Sequence, residues 1–443
     1  MYLPEYILNA IDILNHNGYK AYAVGGCVRD SIMELSPNDY DITTDAIPNE
    51  ILRCFKDYQC LDFGMKHGTI TVVLNENNIE ITTFRIDGEY NDNRHPDEVI
   101  FTPLLCEDTK RRDFTMNSIA YSPNEGYVDH HNGITDIKKK IIRTVGDPSL
   151  RFNEDALRIL RALRFSSTLG FKIEENTAKA IHKLKFLLNN IAAERIFVEL
   201  TKLLCGKNVL YILEEFHDVF ELIIPELSPT VGFEQNNIHH CYDVYKHTCV
   251  SVANIKAEPE LRWAMLLHDT GKPHCYTEDE RGGHFYGHYK ISADIAKSAL
   301  CRLKASNQFI QTVNTLVYHH DSVIPTTEKS VKRLIMKHGY PTTMKLFEIN
   351  KADAMAQAKH QINERLERID RLTEIAKEIN ERNECFSLSS MNINGNDLIT
   401  AGIPKGKSVG KILNKLLLEV VDNKIPNEKS ALLKRALVLK DIL

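Results

Sequence analysis

Along the first 145 residues the apolar pattern changes period every few positions. Residues 1–20 are amphipathic and predict a helix. Residues 21–24 (AYAV) predict a short buried strand, Gly25-Gly26 a tight turn, and residues 27–35 a short helix. A second strand is expected to hold Asp39, Tyr40 and Asp41. Pro48 suits the first turn of a helix over about 48–56. Residues 69–74 and 79–84 are rich in β-branched side chains and flank Asn75-Glu76-Asn77-Asn78, which predicts a hairpin. Residues 87–110 are polar and aperiodic and predict a long loop. From about residue 146 the period is helical throughout. In RFNEDALRILRALRF, Leu157, Leu160 and Leu163 form an apolar stripe beside Asp155, Arg158, Arg161 and Arg164. Pro225 and Pro229 mark a boundary, and residues 361–390 predict a charged helix. The pattern predicts an α+β chain: a mixed β-sheet with helices at 1–145, then all-α regions at 146–230, 231–360 and 361–443.

Length and composition narrow this picture. A chain of 443 residues exceeds one hydrophobic core. With no apolar run of 18 residues, no membrane span is expected. The N-terminus lacks a basic start and a cleavage site, so it reads as a helix and no signal peptide is expected. Ten cysteines without a C-x-x-C pair argue against a disulfide framework and for a reducing, cytoplasmic setting. The net charge of −5 excludes a uniformly basic coat. Residues 401–443 nevertheless carry nine Lys or Arg against four Asp or Glu, enough for a local nucleic-acid contact. The GIPKGKSVG stretch there lacks the register of a phosphate-binding loop and fits RNA-backbone contact or simple helix capping equally.

Candidate chemistry concentrates in three places. Asp39 and Asp41 are two positions apart, so on a strand they face the same way and repel unless a cation lies between them. A hard ion such as Mg²⁺ takes that place and keeps phosphates as further ligands. With Gly25, Gly26 and Arg29 just before, the stretch reads as a phosphate cradle beside a metal site; two solvated aspartates after a turn is the plainer reading. Glu80 is a candidate third carboxylate, or an exposed strand residue. Arg111, Arg112, Asp113 and Asn117 suit a triphosphate, because guanidinium binds phosphate oxygens in pairs; a salt-bridged element start is the alternative. Asp155, Arg158, Arg161 and Arg164, on one helix face, offer donors and acceptors for a nucleobase edge, or form a basic surface stripe.

The third place is the histidine cluster. Nine of eighteen histidines fall between His239 and His320. His268-Asp269 ends the apolar run LRWAMLL, with His239, His240 and His247 upstream and His284, His288, His319, His320 and Asp353 downstream. Imidazoles with carboxylates bind divalent metals and activate water; a merely His-rich helical bundle is the alternative.

GGCVRD with DYD, TTFR, RRDFTMN and DPSLRFNEDALRILRALRF, in this order, resemble the class II tRNA nucleotidyltransferase and bacterial poly(A) polymerase family, in its variant with an HD domain. The resemblance spans nearly the whole chain. It implies a nucleotidyltransferase head (1–145), a helical neck that binds nucleobase and RNA (146–230), an HD phosphohydrolase-like domain (231–360) and an RNA-binding helical tail (361–443). It implies template-independent CCA addition to the tRNA 3′ end, with CTP, ATP and the acceptor and elbow regions of tRNA as partners. Asp39 and Asp41 would bind Mg²⁺, with Glu80 beside them. Gly25, Gly26, Arg29, Arg112, Asp113 and Asn117 would contact sugar and phosphates. Glu154, Asp155 and Arg158 would select the base, supported by Arg161 and Arg164. The 87–110 loop, with Arg94 and Pro96, resembles the flexible loop of enzymes that add adenosine. His247, His268, Asp269 and Asp353 match the HD pattern, with His288 and His320 as second-metal or phosphate ligands; the ion there could be Mg, Mn, Ni or another. Alternatives are a poly(A) or A-adding-only enzyme, and an HD phosphohydrolase with a regulatory nucleotide-binding head.

Overall fold

The computed structural model describes residues 1–88, 99–236, 241–280, 282–357, 362–382, 384 and 386–440. The chain divides into two compact units, Met1–Pro225 and Glu226–Leu443.

The first unit opens with α1 (Glu5–His16), whose Ile7, Ala10, Ile11 and Leu14 form one buried face. Strand β1 (Ala21–Val24) and helix α2 (Gly26–Ile32) follow, then β2 (Asp41–Thr44) and α3 (Pro48–Cys54). Next come β3 (Gln59–Leu61), β4 (Thr69–Leu74), β5 (Asn77–Thr83), β6 (Arg85–Asp87), β7 (Val99–Phe101) and α4 (Leu105–Lys110). Strands β8 (Ala120–Ser122) and β9 (Gly126–Val128) and helix α5 (Gly133–Lys139) complete the head. Seven strands form one sheet in the order β3-β4-β5-β2-β1-β8-β9. Only the β2–β5 pair is parallel, and its register sets Asp41 directly beside Glu80. Alternation in β4 buries Ile70, Val72 and Leu74, and in β5 Ile79, Ile81 and Thr83. Each such buried aliphatic side chain contributes roughly 1.5–3 kcal/mol.

Three expectations are corrected here. Strand β2 begins at Asp41, so Asp39 and Tyr40 belong to the segment leading into it. The hairpin turn is only two residues, Asn75 and Glu76, both at positive φ (48° and 64°), the backbone that matches strand twist. The described part of 87–110 is more than loop: β6, which ends at Asp87, pairs antiparallel with β7, and α4 follows. Arg94 and Pro96 lie outside the described residues.

After β10 (Ile141–Ile142) the unit becomes helical: α6 (Pro148–Glu154), α7 (Leu157–Leu169), α8 (Glu175–Leu184), α9 (Ala193–Leu204), α10 (Val209–Glu215) and α11 (His217–Ile223). A two-residue strand, β11 (Lys172–Ile173), pairs parallel with β10. The expected continuous helix through Asp155 is broken. Asp155 is extended (φ −137°, ψ 103°), so it does not share a helix face with the three arginines. Its carboxylate accepts from the Leu157 amide at 3.1 Å, the local bond by which short acidic side chains start a new helix.

In the second unit, α12 (Val244–Asn254) precedes α13 (Pro259–Leu267), which is buried on every side from Leu261 to Leu267. A helix apolar all round belongs at a core's centre. A hairpin, β12 (Thr277–Asp279) with β13 (Gly282–His284), leads to α14 (His288–Arg302), α15 (Asn307–His319), α16 (Glu328–His338) and α17 (Tyr340–Met355). Helix α18 (Ile362–Glu381) adds Ile369, Leu372, Ile375 and Ile379 to a core shared with α16. Helices α19 (Gly395–Thr400), α20 (Lys407–Val421) and α21 (Lys429–Lys440) close over a core of their own around Leu398, Leu416 and Leu432. Among the described residues, no helix is long and apolar enough to cross a membrane.

Candidate functional sites

Gly25 joins β1 to α2 with φ 83° and ψ −131°, a conformation open essentially to glycine. A Cβ there would lie 3.5 Å from Arg112 Nη1 and 3.9 Å from Asp41 Oδ2. The turn therefore runs between a guanidinium and a strand carboxylate, with bare backbone facing both. Asp41, Asp39 and Glu80 are exposed. Although open to solvent on one side, the Asp41 carboxyl is pushed up to about 6 by partial burial; Arg112 pulls it down, and the charges of Glu80 and Asp39 raise it further. Three carboxylates that strain one another on adjacent backbone segments are a hard-oxygen donor set, which fits a hard divalent ion.

Behind this edge stands a polar chain that links the head to α7. Arg29 Nη1 donates to Asn117 Oδ1 at 2.7 Å, and Asn117 Nδ2 donates to Asp113 Oδ1 at 3.1 Å. Arg161 grips Asp113 Oδ2 through Nε at 2.9 Å and Nη2 at 2.6 Å. Burial raises the Asp113 carboxyl, but Arg161 and these hydrogen bonds outweigh it and hold it down to about 2. Arg164 pairs with Glu199 at 2.9 Å. Arg158 donates to Glu154 at 2.6 Å and to the carbonyls of Arg151 and Arg111 at 3.1 and 3.0 Å. The three arginines thus have three separate partner sets and form no simple surface stripe.

Asp108 did not emerge from the sequence. Fully buried, it accepts from Thr43 on β2 at 3.1 Å, Arg111 at 2.7 Å and Arg112 at 3.3 Å. Arg112 and Arg111 offset its burial and hold its carboxyl below the usual range. Its spacing of three and four residues ahead of two arginines on a helix was the available signal.

The second unit gathers His247 (α12), His268 and Asp269 (just after α13), His288 (α14), His320 (just after α15) and Asp353 (α17). Two sets, His247–His268–Asp353 and Asp269–His288–His320, each have their ligand atoms within 4.8 Å of one another, and all six residues are buried. Asp269 reaches both: Oδ2 lies 3.4 and 3.2 Å from His247 and His268, and Oδ1 3.4 and 3.5 Å from His288 and His320. Each histidine has Nδ1 against a backbone carbonyl: Ala356 at 3.2 Å, Met265 at 2.7 Å, Phe285 at 2.8 Å and Val317 at 2.6 Å. A carbonyl only accepts, so each Nδ1 carries a proton and each Nε2 is turned toward the other ring nitrogens and carboxylates of the cluster. The Nε2 atoms face each other at 3.3 Å (His247, His268) and 3.0 Å (His288, His320). Ring nitrogens converging with carboxylates at that distance need positive charge among them, a metal ion or shared protons, and backbone-oriented imidazoles are how metal ligands are held. Gly271 permits this packing, since a Cβ there would meet the His288 carbonyl at 2.5 Å. Lys272 bonds Asp269 at 2.7 Å and Gln235 at 2.8 Å. A cavity of about 340 Å³ opens onto Asp269, Lys272, His288, His320 and Asp353. His284 pairs with Asp279 and His319 meets His338 edge-on, so neither joins the cluster. His239 and His240 lie outside the described residues.

A mixed-sheet head with a Gly-Gly turn and paired acidic residues, followed by helices, defines a nucleotidyltransferase. The Poly A polymerase head domain model matches residues 21–143, the RNA- and SrmB-binding site of polymerase A matches 170–230, and tRNA nucleotidyltransferase domain 2 matches 283–436. The CCA-adding enzyme of Ligilactobacillus salivarius is 34% identical over 438 residues, covering 98% of this chain and 97% of the relative. That of Oceanobacillus iheyensis is 32% identical over 436 residues, covering 96% of each. The crystal structure of the Bacillus stearothermophilus CCA-adding enzyme in complex with CTP superposes with a TM-score of 0.73 at 27% identity, over 100% of this chain and 99% of that one. The chain belongs to the CCA-adding enzymes, nucleotidyltransferases that work with divalent metal ions.

Proposed function

We propose the following division of labour for CCA addition to the tRNA 3′ end from CTP and ATP. Asp39 and Asp41, with Glu80 beside them, hold Mg²⁺, which neutralises triphosphate charge and lowers the pKa of the attacking hydroxyl when bound. The RNA 3′-hydroxyl oxygen attacks the α-phosphorus, the bond to the β-phosphate bridge breaks, and pyrophosphate leaves. Gly25 and Gly26 let the phosphates approach the backbone. Arg29 and Arg112 receive phosphate oxygens, while Asp113 and Asn117 fix Arg29 and Arg161 in place. Glu154, Asp155 and Arg158 read the base by hydrogen bonds. The bonds of Arg158 to Glu154 and two carbonyls use three of the five N–H donors of its guanidinium and hold it in place for this role. Residues 401–443 receive tRNA backbone, and the setting is cytoplasmic. The observation that carries the reading is the register of Asp41 with Glu80 beside the Gly25 turn and Arg112. Incubating tRNA that lacks its terminal CCA with CTP alone, with ATP alone and with the two together tests it. Incorporation of CTP followed by one ATP is expected; long ATP-only tails or terminal A alone would favour the alternatives.

A second reading rests on the two facing Nε2 pairs and the Asp269 carboxylate that reaches both. We propose that residues 231–360 form an HD-type phosphohydrolase centre in which the two ligand sets hold divalent metal around Asp269. The cavity beside it, with one buried lysine, suits a phosphate ester. Metal analysis of the purified chain, paired with hydrolysis of bis-p-nitrophenyl phosphate, is the test. A chain with neither metal nor hydrolysis would overturn it.

A further inference from the structure

Phe165, on α7, is 7% exposed and has three guanidiniums around one ring. Arg164 Cζ lies 4.1 Å from its centroid, Arg29 Cζ 5.1 Å and Arg161 Cζ 5.5 Å. The ring also meets Phe114 edge-on, with centroids 5.8 Å apart at 83°. Arg29 comes from α2, the helix after the Gly-Gly turn, so the ring sits where that helix meets α7. Each arginine has its own carboxylate: Asp30 at 2.7 Å for Arg29, Asp113 at 2.6 Å for Arg161 and Glu199 at 2.9 Å for Arg164. These bonds, with the one Arg29 makes to Asn117, lie at the guanidinium edges and leave the faces without a restraint. The negative face of an aromatic ring attracts the cation and supplies the missing restraint. Bidentate phosphate binding needs that plane fixed in advance.

We infer that Phe165 is a positioning residue for nucleotide addition: its ring quadrupole holds the guanidinium planes of Arg29, Arg161 and Arg164 together and so sets Arg29 to receive the triphosphate. The base-reading Arg158 is not among the cations on the ring. The effect of Phe165 therefore falls on the phosphates shared by CTP and ATP. The inference rests on the proposed phosphate role of Arg29.

Replacing Phe165 by pentafluorophenylalanine in the full chain inverts the ring quadrupole and keeps its shape. The KM for CTP and the KM for ATP are expected to rise by the same factor, about tenfold, with kcat and thermal midpoint little changed. Phe165→Leu, which removes the ring, should do the same if it folds. An unchanged KM in the fluorinated chain, or a rise for one nucleotide only, overturns the inference. Arg29→Ala, measured in parallel, separates the two layers. No KM change there would overturn the phosphate role of Arg29. A rise there without a rise in the fluorinated chain would overturn the role of Phe165 alone.

Discussion

The two candidate metal centres of this chain are built in opposite ways. The head offers exposed carboxylates at and beside the central β2–β5 pair, and Asp39, Asp41 and Glu80 are absent from the ligand sets found within 4.8 Å of one another. The second unit offers four imidazoles and two carboxylates, all buried, with every imidazole locked by a backbone carbonyl. An open set of oxygens suits a hard ion that arrives with a phosphate and leaves with pyrophosphate. A closed, nitrogen-rich set suits an ion that stays. On the proposed roles, the transfer site would be completed by its substrate, whereas the histidine cluster already has its candidate ligands within reach of one another in the folded chain.

The largest effect expected to test this contrast is at Asp41. Asp41→Asn should cut nucleotide incorporation on the order of 10²–10³-fold, with metal content and thermal midpoint unchanged. Metal loss in that variant would join the two centres. Next is His268→Ala, which should lower bound metal, read by elemental analysis after gel filtration, by removing a ligand that reaches both Asp269 and Asp353. Brief dialysis against a chelator sharpens the same point: nucleotide addition should return on adding Mg²⁺ alone, while metal in the second unit should persist. Equal loss from both centres would erase the distinction.

Asp108→Asn should have a moderate effect, raising the KM for both nucleotides about tenfold through a loosened Arg112. The smallest effect is on acid stability. Asp113 is held down to about 2, below its unfolded value near 4. Its contribution to stability is therefore complete above about pH 4 and is lost as pH falls through about 2. Thermal unfolding of Asp113→Asn across pH 5 to 2 should show a shallower acid limb than the parent. Parallel curves would remove Asp113 from the linkage between head and α7.

Much of this was legible in the chain. Alternation in residues 69–83, the Gly-Gly turn after AYAV, and the buried Leu157–Leu160–Leu163 stripe are local patterns, and local periodicity reports local structure. Residue types also limited the chemistry: paired aspartates in one place, His-Asp with distant histidines in another. The break at Asp155 was hidden, because continuous helical spacing across RFNEDALRILRALRF says nothing about a carboxylate that turns back onto the Leu157 amide. Pairing across β6 and β7 was hidden for the same reason: a three-residue strand acquires its identity from its partner.

Tertiary structure alone decided the rest. Asp108 became the hub of Thr43, Arg111 and Arg112 because the fold buried it among them. Phe165 gathered three guanidiniums because α2 and α7 meet at its ring. His247 and Asp353, 106 positions apart, stand 3.0 Å from each other because α12 and α17 both pack against α13, buried from Leu261 to Leu267. Sequence names the groups that can bind metal or phosphate. The distances that let them act together exist only once apolar faces far apart in the chain have been buried against one another.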